Sequence, residues 1–176
     1  MADVPDTIVL KRHRDHQWAG RHGPLVRRCV LALVAIVAVL GLFNVFGQRP
    51  VTTVASAPAA TLKLYAPEHL RGGLLWSARF HIYARQDLKK ATLVLDPGWA
   101  ESTAINTIEP SPLGQASKNG RLSLELGHIP KGGQFILFMQ FQTNATNVAW
   151  RRAENVELDD GAKQILVIHH HVTIYP

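Results

Sequence analysis

The sequence predicts a mainly β chain with one apolar helix ahead of it, and three observations carry this prediction. An uncharged run extends from Cys29 to Phe46. Beyond residue 60, apolar and polar residues alternate with period two, the spacing of a strand that buries one face. Turn-forming groups, such as Asp-Pro-Gly at 96–98, separate these segments. We therefore expect an N-terminal transmembrane helix followed by an antiparallel β-sandwich of about seven to eight strands.

The composition supports a membrane segment and argues against a nucleic-acid partner. Charged residues make up 18% of the chain, against about 25% in a typical soluble domain. The net charge is +6, but residues 1–28 hold six basic and three acidic residues, while residues 60–176 are close to balance. The basic character therefore owes much to the N-terminus. With Cys29 as the single cysteine, no disulfide forms within one chain.

The apolar run predicts a transmembrane helix over residues 25–47, with residues 29–46 in the lipid bilayer. Eighteen residues form a helix of about 27 Å, close to the ~30 Å hydrocarbon core. A core helix would show a polar stripe, which this run lacks. Arg27 and Arg28 directly precede the run, and only Arg49 follows before Lys63. This bias predicts a cell-membrane protein with its N-terminus in the cytoplasm and its C-terminal domain outside.

Other fates of the N-terminal segment are open. Ala-Ser-Ala at 55–57 has the form of a signal-peptide cleavage site, and Arg27-Arg28 faintly resembles a twin-arginine export signal. A lipoprotein cysteine is rejected, because Cys29 stands at the near end of the run. The remaining boundaries are a basic cytoplasmic tail at 1–24, predicted to be disordered, a Pro- and Ala-rich linker at 48–60 and the extracytoplasmic domain at 61–176.

Residues 74–85 give the clearest strand. Leu74, Trp76, Ala78, Phe80, Ile82 and Ala84 are predicted to face the core, and Ser77, Arg79, His81, Tyr83 and Arg85 to face outward. Residues 121–126 and 135–141 repeat the pattern, and Leu166, Ile168, Val172 and Ile174 share a face at the C-terminus. Shorter candidate strands lie at 61–65, 91–95, 104–108 and 155–158.

The stretch from Leu122 to Phe141 carries a resemblance. It reads as a strand, then Ile129-Pro-Lys-Gly-Gly, then a second alternating strand. This resembles the strand–turn–strand of bacterial extracytoplasmic immunoglobulin-like modules, with Ile129 at the position of their turn leucine. The layout of the chain is also similar to small anchored membrane proteins of high-GC Gram-positive bacteria. The resemblance implies an immunoglobulin-like sandwich on a single-pass anchor, and it implies no catalytic residues.

The search for chemistry favours a protein that is not an enzyme. There is no G-x-S-x-G, no H-E-x-x-H, no phosphate-binding glycine loop and no cysteine pair. In a strand, His169 and His171 would project from one face and could chelate a metal, with a third ligand from His81 or His128. His170 would instead fall on the core face. We predict no cofactor and no metal site, with His169 and His171 as the residues to check.

Two tryptophans are candidates for partner binding. Trp99 lies in the long connection from 96 to 120, and Trp150 lies beside Arg151 and Arg152. Long ordered loops are often functional, and an aromatic residue there can anchor a partner. The alternative is that Trp99 folds back over an open end of the core. Together with Arg79, His81 and Tyr83, both tryptophans form the predicted partner-binding set.

The function predicted from these patterns is a non-enzymatic, membrane-anchored accessory protein. Its outer domain would present the face of Tyr65, Arg79, His81, Tyr83 and Arg85, or the 96–113 loop, to another membrane or envelope protein. The alternative is a ligand- or metal-sensing domain that signals through the transmembrane helix. A third hypothesis is an export or cell-wall assembly factor whose cytoplasmic tail also has a partner.

Overall fold

The computed structural model describes residues 8–43 and 48–176, which belong to two compact units, 1–46 and 47–176. In the first unit, helix α1 spans Ile8–Leu42. Its part Gly23–Leu42 is long and apolar enough to cross a membrane, and none of it is buried. A membrane anchor and a signal sequence share this length and composition. The last predicted membrane residues, 44–47, lie outside the described residues.

The predicted disorder of the tail is wrong from Ile8 onward, because α1 already begins there. Residues 8–22 hold several residues with good helix propensity, among them Leu10, Lys11, Arg12 and Gln17. The helix also continues through Pro24. The residues before Ile8 lie outside the described part, so the disorder predicted for them stays a prediction.

The second unit is built from thirteen strands in the described residues. They are β1 (Pro50–Ser56), β2 (Ala60–Pro67), β3 (His69–Arg71), β4 (Leu75–Ala84), β5 (Leu88–Leu95), β6 (Thr103–Glu109), β7 (Gly114–Lys118), β8 (Arg121–Ile129), β9 (Gln134–Thr143), β10 (Ala149–Ala153), β11 (Val156–Asp160), β12 (Lys163–Ile168) and β13 (His171–Tyr175). A short 3-10 helix, Pro97–Trp99, lies between β5 and β6.

The strands form two five-stranded sheets and one small sheet. The first sheet has the order β1-β2-β4-β9-β6, the second β12-β11-β5-β8-β7, and the small sheet β10-β13-β3. Every pairing is antiparallel except that of β13 with β3. The prediction of a mainly β, antiparallel sandwich is confirmed.

All three sheets contribute to one core, because period-two alternation turns every second side chain inward. The largest fully buried side chains come from the two large sheets, from β3 and from the 3-10 helix: Trp99, Phe80, Phe141, Leu62, Leu64, Leu70, Ile82, Leu88, Leu93, Leu95, Leu124 and Leu137. Each buried side chain of this size stabilises the fold by about 1.5–3 kcal/mol. The predicted C-terminal face of Leu166, Ile168, Val172 and Ile174 is buried as expected.

The predicted strand number and one boundary need correction. The strands β1, β3, β7 and β10 were not predicted, and the C-terminal strand is divided in two at residues 169–170. Most of the predicted linker at 48–60 is strand β1, which pairs along its whole length with β2. Its run of β-branched residues, Val51–Val54, favours a strand. Pro50 is tolerated because it is the first residue of an edge strand.

Candidate functional site

The outward side of the first sheet collects the residues that the sequence singled out in strand β4. The side chains of Arg79, His81 and Tyr83 are exposed, and they alternate with buried Ala78, Phe80 and Ile82. Neighbouring strands add further outward side chains. We call this surface the basic face and define it as Lys63, Tyr65, Arg79, His81, Tyr83, Arg85, Ile136 and Phe138.

The strand register arranges the basic face in rows. Lys63, His81 and Ile136 are direct neighbours across β2, β4 and β9. Directly opposed residues in antiparallel strands have Cβ atoms about 4.5–5.5 Å apart, so His81 lies between Lys63 and the apolar side chain of Ile136. In the next row, the guanidinium of Arg79 lies 5.8 Å from the ring centroid of Tyr65, within cation–π distance.

The basic side chains of this face have no acidic partner in the part of the chain that the structure describes. In the described residues, none of Lys63, Arg79, His81 and Arg85 lies within ion-pair distance of a carboxylate. The nearest acid in the register is Glu109 on the edge strand β6, opposite Phe138. The face is therefore positively charged and open to an external anion.

Large apolar side chains are exposed between these charges. The exposed fraction is 43% for Tyr83 and 49% for Ile136, and Tyr65 is also exposed. Two depressions lie on this surface. One, of about 320 Å³, is lined by Thr61, Lys63, His81, Ile82, Tyr83, Arg85, Gln134 and Ile136. The other, of about 290 Å³, is lined by Gln48, Pro50, Tyr65, Pro67, Leu75, Trp76, Ser77, Phe138 and Gln140.

The proposed role of Trp99 in partner binding is wrong, because Trp99 is completely buried. Its indole Nε1 donates hydrogen bonds to the backbone oxygens of Glu154 (2.9 Å) and Asn155 (3.2 Å). Its ring packs against Trp76 and Phe141, with centroids 5.8 and 5.5 Å away. The alternative, in which Trp99 folds back over the core, is the one that the structure supports. The connection from 96 to 120 is largely the 3-10 helix and the strands β6 and β7.

Trp150 has the opposite environment, with 78% of its surface exposed. It lies in β10, where the pairing with β13 shifts register between Ala149 and Arg152. Arg151 there has a φ of 48°, a left-handed backbone that few non-glycine residues adopt. Bulges of this kind often redirect a side chain. Trp150 stays a candidate contact residue, but it lies on the small sheet and not on the basic face.

The histidine triplet connects β12 to β13 and does not form a continuous strand. His169 and His171 are exposed and His170 is buried, as the sequence predicted for His170. They line a cleft of about 370 Å³ with Glu68, His69, Trp150, Arg151 and Thr173. In the described residues, no three His, Cys, Asp or Glu side chains are grouped to hold a metal. His81 and His128, the suggested third ligands, do not line this cleft.

A buried ion pair near this cleft escaped the sequence analysis. Glu154 is fully buried, and its Oε1 accepts a hydrogen bond of 2.8 Å from Nη2 of Arg152. Burial raises the pKa of the Glu154 carboxyl to about 7, although Arg152 opposes this shift. Burial lowers the pKa of nearby His170, whose backbone oxygen accepts a hydrogen bond from the Glu154 amide. Nothing in the segment Arg-Arg-Ala-Glu distinguishes Glu154 from a surface acid.

Comparison with known proteins gives structural neighbours only. No family model and no curated protein matches the chain. The solution structure of CaCohA2 from Clostridium acetobutylicum is similar with a TM-score of 0.44 and 10% identity, over 68% of this chain and 93% of that one. AvmM, which catalyzes macrocyclization in alchivemycin A biosynthesis, gives 0.41 and 7%, over 74% and 90%. BcpA, the major pilin subunit of Bacillus cereus, gives 0.40 and 10%, over 72% and 40%. No function is transferred from these structures.

Proposed function

We propose that this chain is a non-enzymatic, membrane-anchored accessory protein that binds another membrane or envelope protein through its basic face. The observation that carries the proposal is the combination of unpaired cations and exposed aromatic and aliphatic side chains on one sheet face. Aromatic residues and arginine are enriched at the energetic centres of protein interfaces. A paired strand scaffold holds these side chains in place before a partner arrives, which lowers the entropic cost of binding.

The depressions on the basic face support binding over catalysis. Neither is lined by an aspartate, a glutamate or a cysteine, so His81 in the first depression has no carboxylate or thiol beside it with which to form a catalytic pair. Glu154, the carboxyl group with the raised pKa, is fully buried and paired with Arg152. Glu154 therefore affects the stability of the fold and does not contact an external substrate.

The membrane anchor belongs to the same proposal. The apolar part of helix α1 that follows Arg28 would span the bilayer, with Arg27 and Arg28 at its cytoplasmic end and the β-domain outside. Protease treatment of intact spheroplasts tests this orientation. We expect a C-terminal epitope tag after Pro176 to be digested and an N-terminal tag to be protected. Protection of the C-terminal tag would overturn both the orientation and the extracytoplasmic role.

Site-specific photo-cross-linking tests the binding face. We expect p-benzoylphenylalanine at position 83, on the basic face of the full-length chain, to form a discrete cross-linked product in native membranes. The matched control places the same cross-linker at position 92, on the outward side of the second sheet, where we expect no such product. Equal cross-linking from both positions, or from position 92 alone, would contradict the proposal.

A ligand- or metal-sensing role is the second candidate, and the cleft around His69, His169 and His171 is the observation that favours it. These side chains would have to move together to complete a site, because the described residues hold no preformed group of three ligands. Calorimetry of the full-length chain with Zn²⁺ tests this role. A heat of binding that disappears in His171→Ala would support it, and no heat would remove it.

A further inference from the structure

The larger of the two depressions on the basic face is lined by residues that favour one kind of ligand. It is the depression of about 320 Å³ between β2, β4 and the start of β9. Three of its lining residues are basic: Lys63, His81 and Arg85. Thr61 and Gln134 add polar groups. No carboxylate lines it, so nothing within the depression neutralises this charge.

One wall of the same depression is apolar. Tyr83 and Ile136 line it and are about half exposed. Because Ile136 is the direct neighbour of His81 across the strands, apolar and basic contacts alternate at strand spacing. A ligand that satisfies both needs an anionic group beside an apolar group, and an anion alone would leave the apolar wall unused.

The backbone around the depression is fixed by hydrogen bonds. The amides of Arg85 and Gln86 both donate to the carbonyl of Ala59, at 2.8 and 2.9 Å. On the other side, the amide of Gly132 donates to the carbonyl of Ala84 at 2.8 Å. The base of the Arg85 side chain is thus held at the end of β4. Cations on a fixed backbone are preorganised for an anion.

We propose that this depression receives an acidic side chain from an extended segment of the partner protein, with an apolar residue next to it against Tyr83 and Ile136. This inference rests on the proposed function and adds the chemistry of the partner. A protein segment fits better than a lipid surface, because the apolar side chains lie in the middle of a sheet face and not on a protruding loop. An extended segment also repeats every two residues at about 6.6–6.8 Å, which matches residues two apart along β4.

Peptide binding to the full-length chain in zwitterionic nanodiscs tests the inference. The probe is a fluorescein-labelled hexapeptide, Glu-Ser-Leu-Ser-Glu-Ser, which in an extended conformation places glutamate and leucine two residues apart on one face. The matched peptide replaces both glutamates by lysine. We expect the acidic peptide to bind and the basic peptide not to bind. In Arg85→Glu, affinity for the acidic peptide should fall about tenfold or more, because one attraction becomes a repulsion.

Lys89→Glu is the matched control variant. Lys89 is an exposed lysine on β5 of the second sheet, and it does not line the depression. We expect Lys89→Glu to change the affinity by less than about twofold, since Lys89 does not line the depression and salt screens an exposed charge outside it. Circular dichroism checks that both variants keep the wild-type spectrum and melting temperature.

Four outcomes would overturn the inference: no binding of the acidic peptide, equal binding of both peptides, equal losses in Arg85→Glu and Lys89→Glu, or displacement of the peptide by phosphatidylglycerol vesicles. The last would identify a lipid headgroup as the ligand. The proposed function has a separate readout. If the cross-link from position 83 persists in Arg85→Glu and the chain does not bind the acidic peptide, the partner-binding role is retained and the acidic-segment inference is rejected.

Discussion

The outward sides of the two large sheets use their charges in different ways. On the second sheet, Lys90 pairs with Glu125, and Arg121 contacts both Asp96 and Glu157, at 3.1 and 2.5 Å. We call this surface the paired face and define it as Lys90, Thr92, Arg121, Ser123, Glu125 and Glu157. The basic face of the first sheet holds cations without acids, and exposed aromatic side chains between them.

The comparison shows on which face the charged side chains find opposite charges within the domain. Each of the four charged residues that define the paired face contacts an opposite charge, and Val94 on the same side is buried. In the described residues, the cations of the basic face have no acidic partner, and large apolar side chains stay exposed beside them. Exposed apolar patches beside complementary charge are typical of interaction surfaces. Changes to the paired face should therefore affect stability, and changes to the basic face should affect binding.

The largest effect on stability is expected from a core residue that lies beneath both faces. The 3-10 helix that ends at Trp99 joins β5 of the second sheet to β6 of the first, so Trp99 supports both. Trp99→Ala should lower the free energy of unfolding by about 3–5 kcal/mol, because it leaves a cavity in the core. Chemical denaturation followed by circular dichroism measures this. The exposed Trp150→Ala is the control and should change stability little. Similar losses for the two would break the distinction between buried and outward residues.

The next largest effect on stability is expected from the buried pair of Arg152 and Glu154. The ion pairs of the paired face are, in contrast, partly exposed. Glu154 has a pKa of about 7 in the folded protein, against an ordinary 4.5. Between these values the folded state holds a proton that the unfolded state releases, so stability falls as pH rises. The contribution amounts to about 3 kcal/mol at most. In Glu154→Gln this downward slope between pH 4.5 and 7 should disappear.

His170 acts in the opposite direction over an overlapping range. Because burial lowers its pKa below the ordinary 6.5, the unfolded state binds a proton first as pH falls, and stability rises with pH in that range. Urea unfolding at several pH values separates the two groups, since only the Glu154 slope is removed by Glu154→Gln. Parallel curves for the wild type and this variant would contradict the account of Glu154.

The direct comparison of the faces uses two arginines. Arg121→Ala removes two ion-pair contacts on the paired face and should cost about 1 kcal/mol of unfolding free energy, a modest value because the side chain is partly exposed. High salt should reduce this difference. A loss of stability near zero would show that the paired face does not stabilise the domain.

The smallest effect on stability is expected from Arg79→Ala on the basic face. Arg79 has only the cation–π contact with Tyr65 in the described structure, worth about 0.5 kcal/mol at an exposed site. Its unfolding midpoint should match that of the wild type within error. A loss as large as that of Arg121→Ala would assign Arg79 to the fold and weaken its role in binding.

The residues that the sequence placed correctly are those with unbroken alternation. In β4, period two correctly gave the buried side chains from Trp76 to Ala84 and, between them, Arg79, His81 and Tyr83 on the outward face. Leu74, which was also predicted to face the core, lies before the strand and is 48% exposed. The short strands β3 and β7 have three and five residues and no apolar rhythm, so a periodicity argument misses them. The pairing of β3 with β13 joins segments distant in sequence, whereas β7 pairs with the adjacent β8 across the Asn119-Gly120 turn.

The period-two alternation also made part of the candidate site predictable. The outward residues of β4 could be read from one segment, but Lys63 and Ile136 join them only through the register with β2 and β9. Trp99 and Glu154 depend on how a connection folds back over the core. Local sequence does not encode this folding, and an aromatic residue directly after Asp-Pro-Gly is compatible with both a buried and an exposed position.

The central claim is that the basic face, and not the paired face, holds the partner. Co-purification of the full-length chain in mild detergent, with quantitative mass spectrometry, tests it most directly. The double variant Tyr83→Ser with Ile136→Ser should lose the co-purifying protein that the wild type retains. The double variant Thr92→Ala with Ser123→Ala should keep it. Retention by the first variant, or loss from the second alone, would contradict the account.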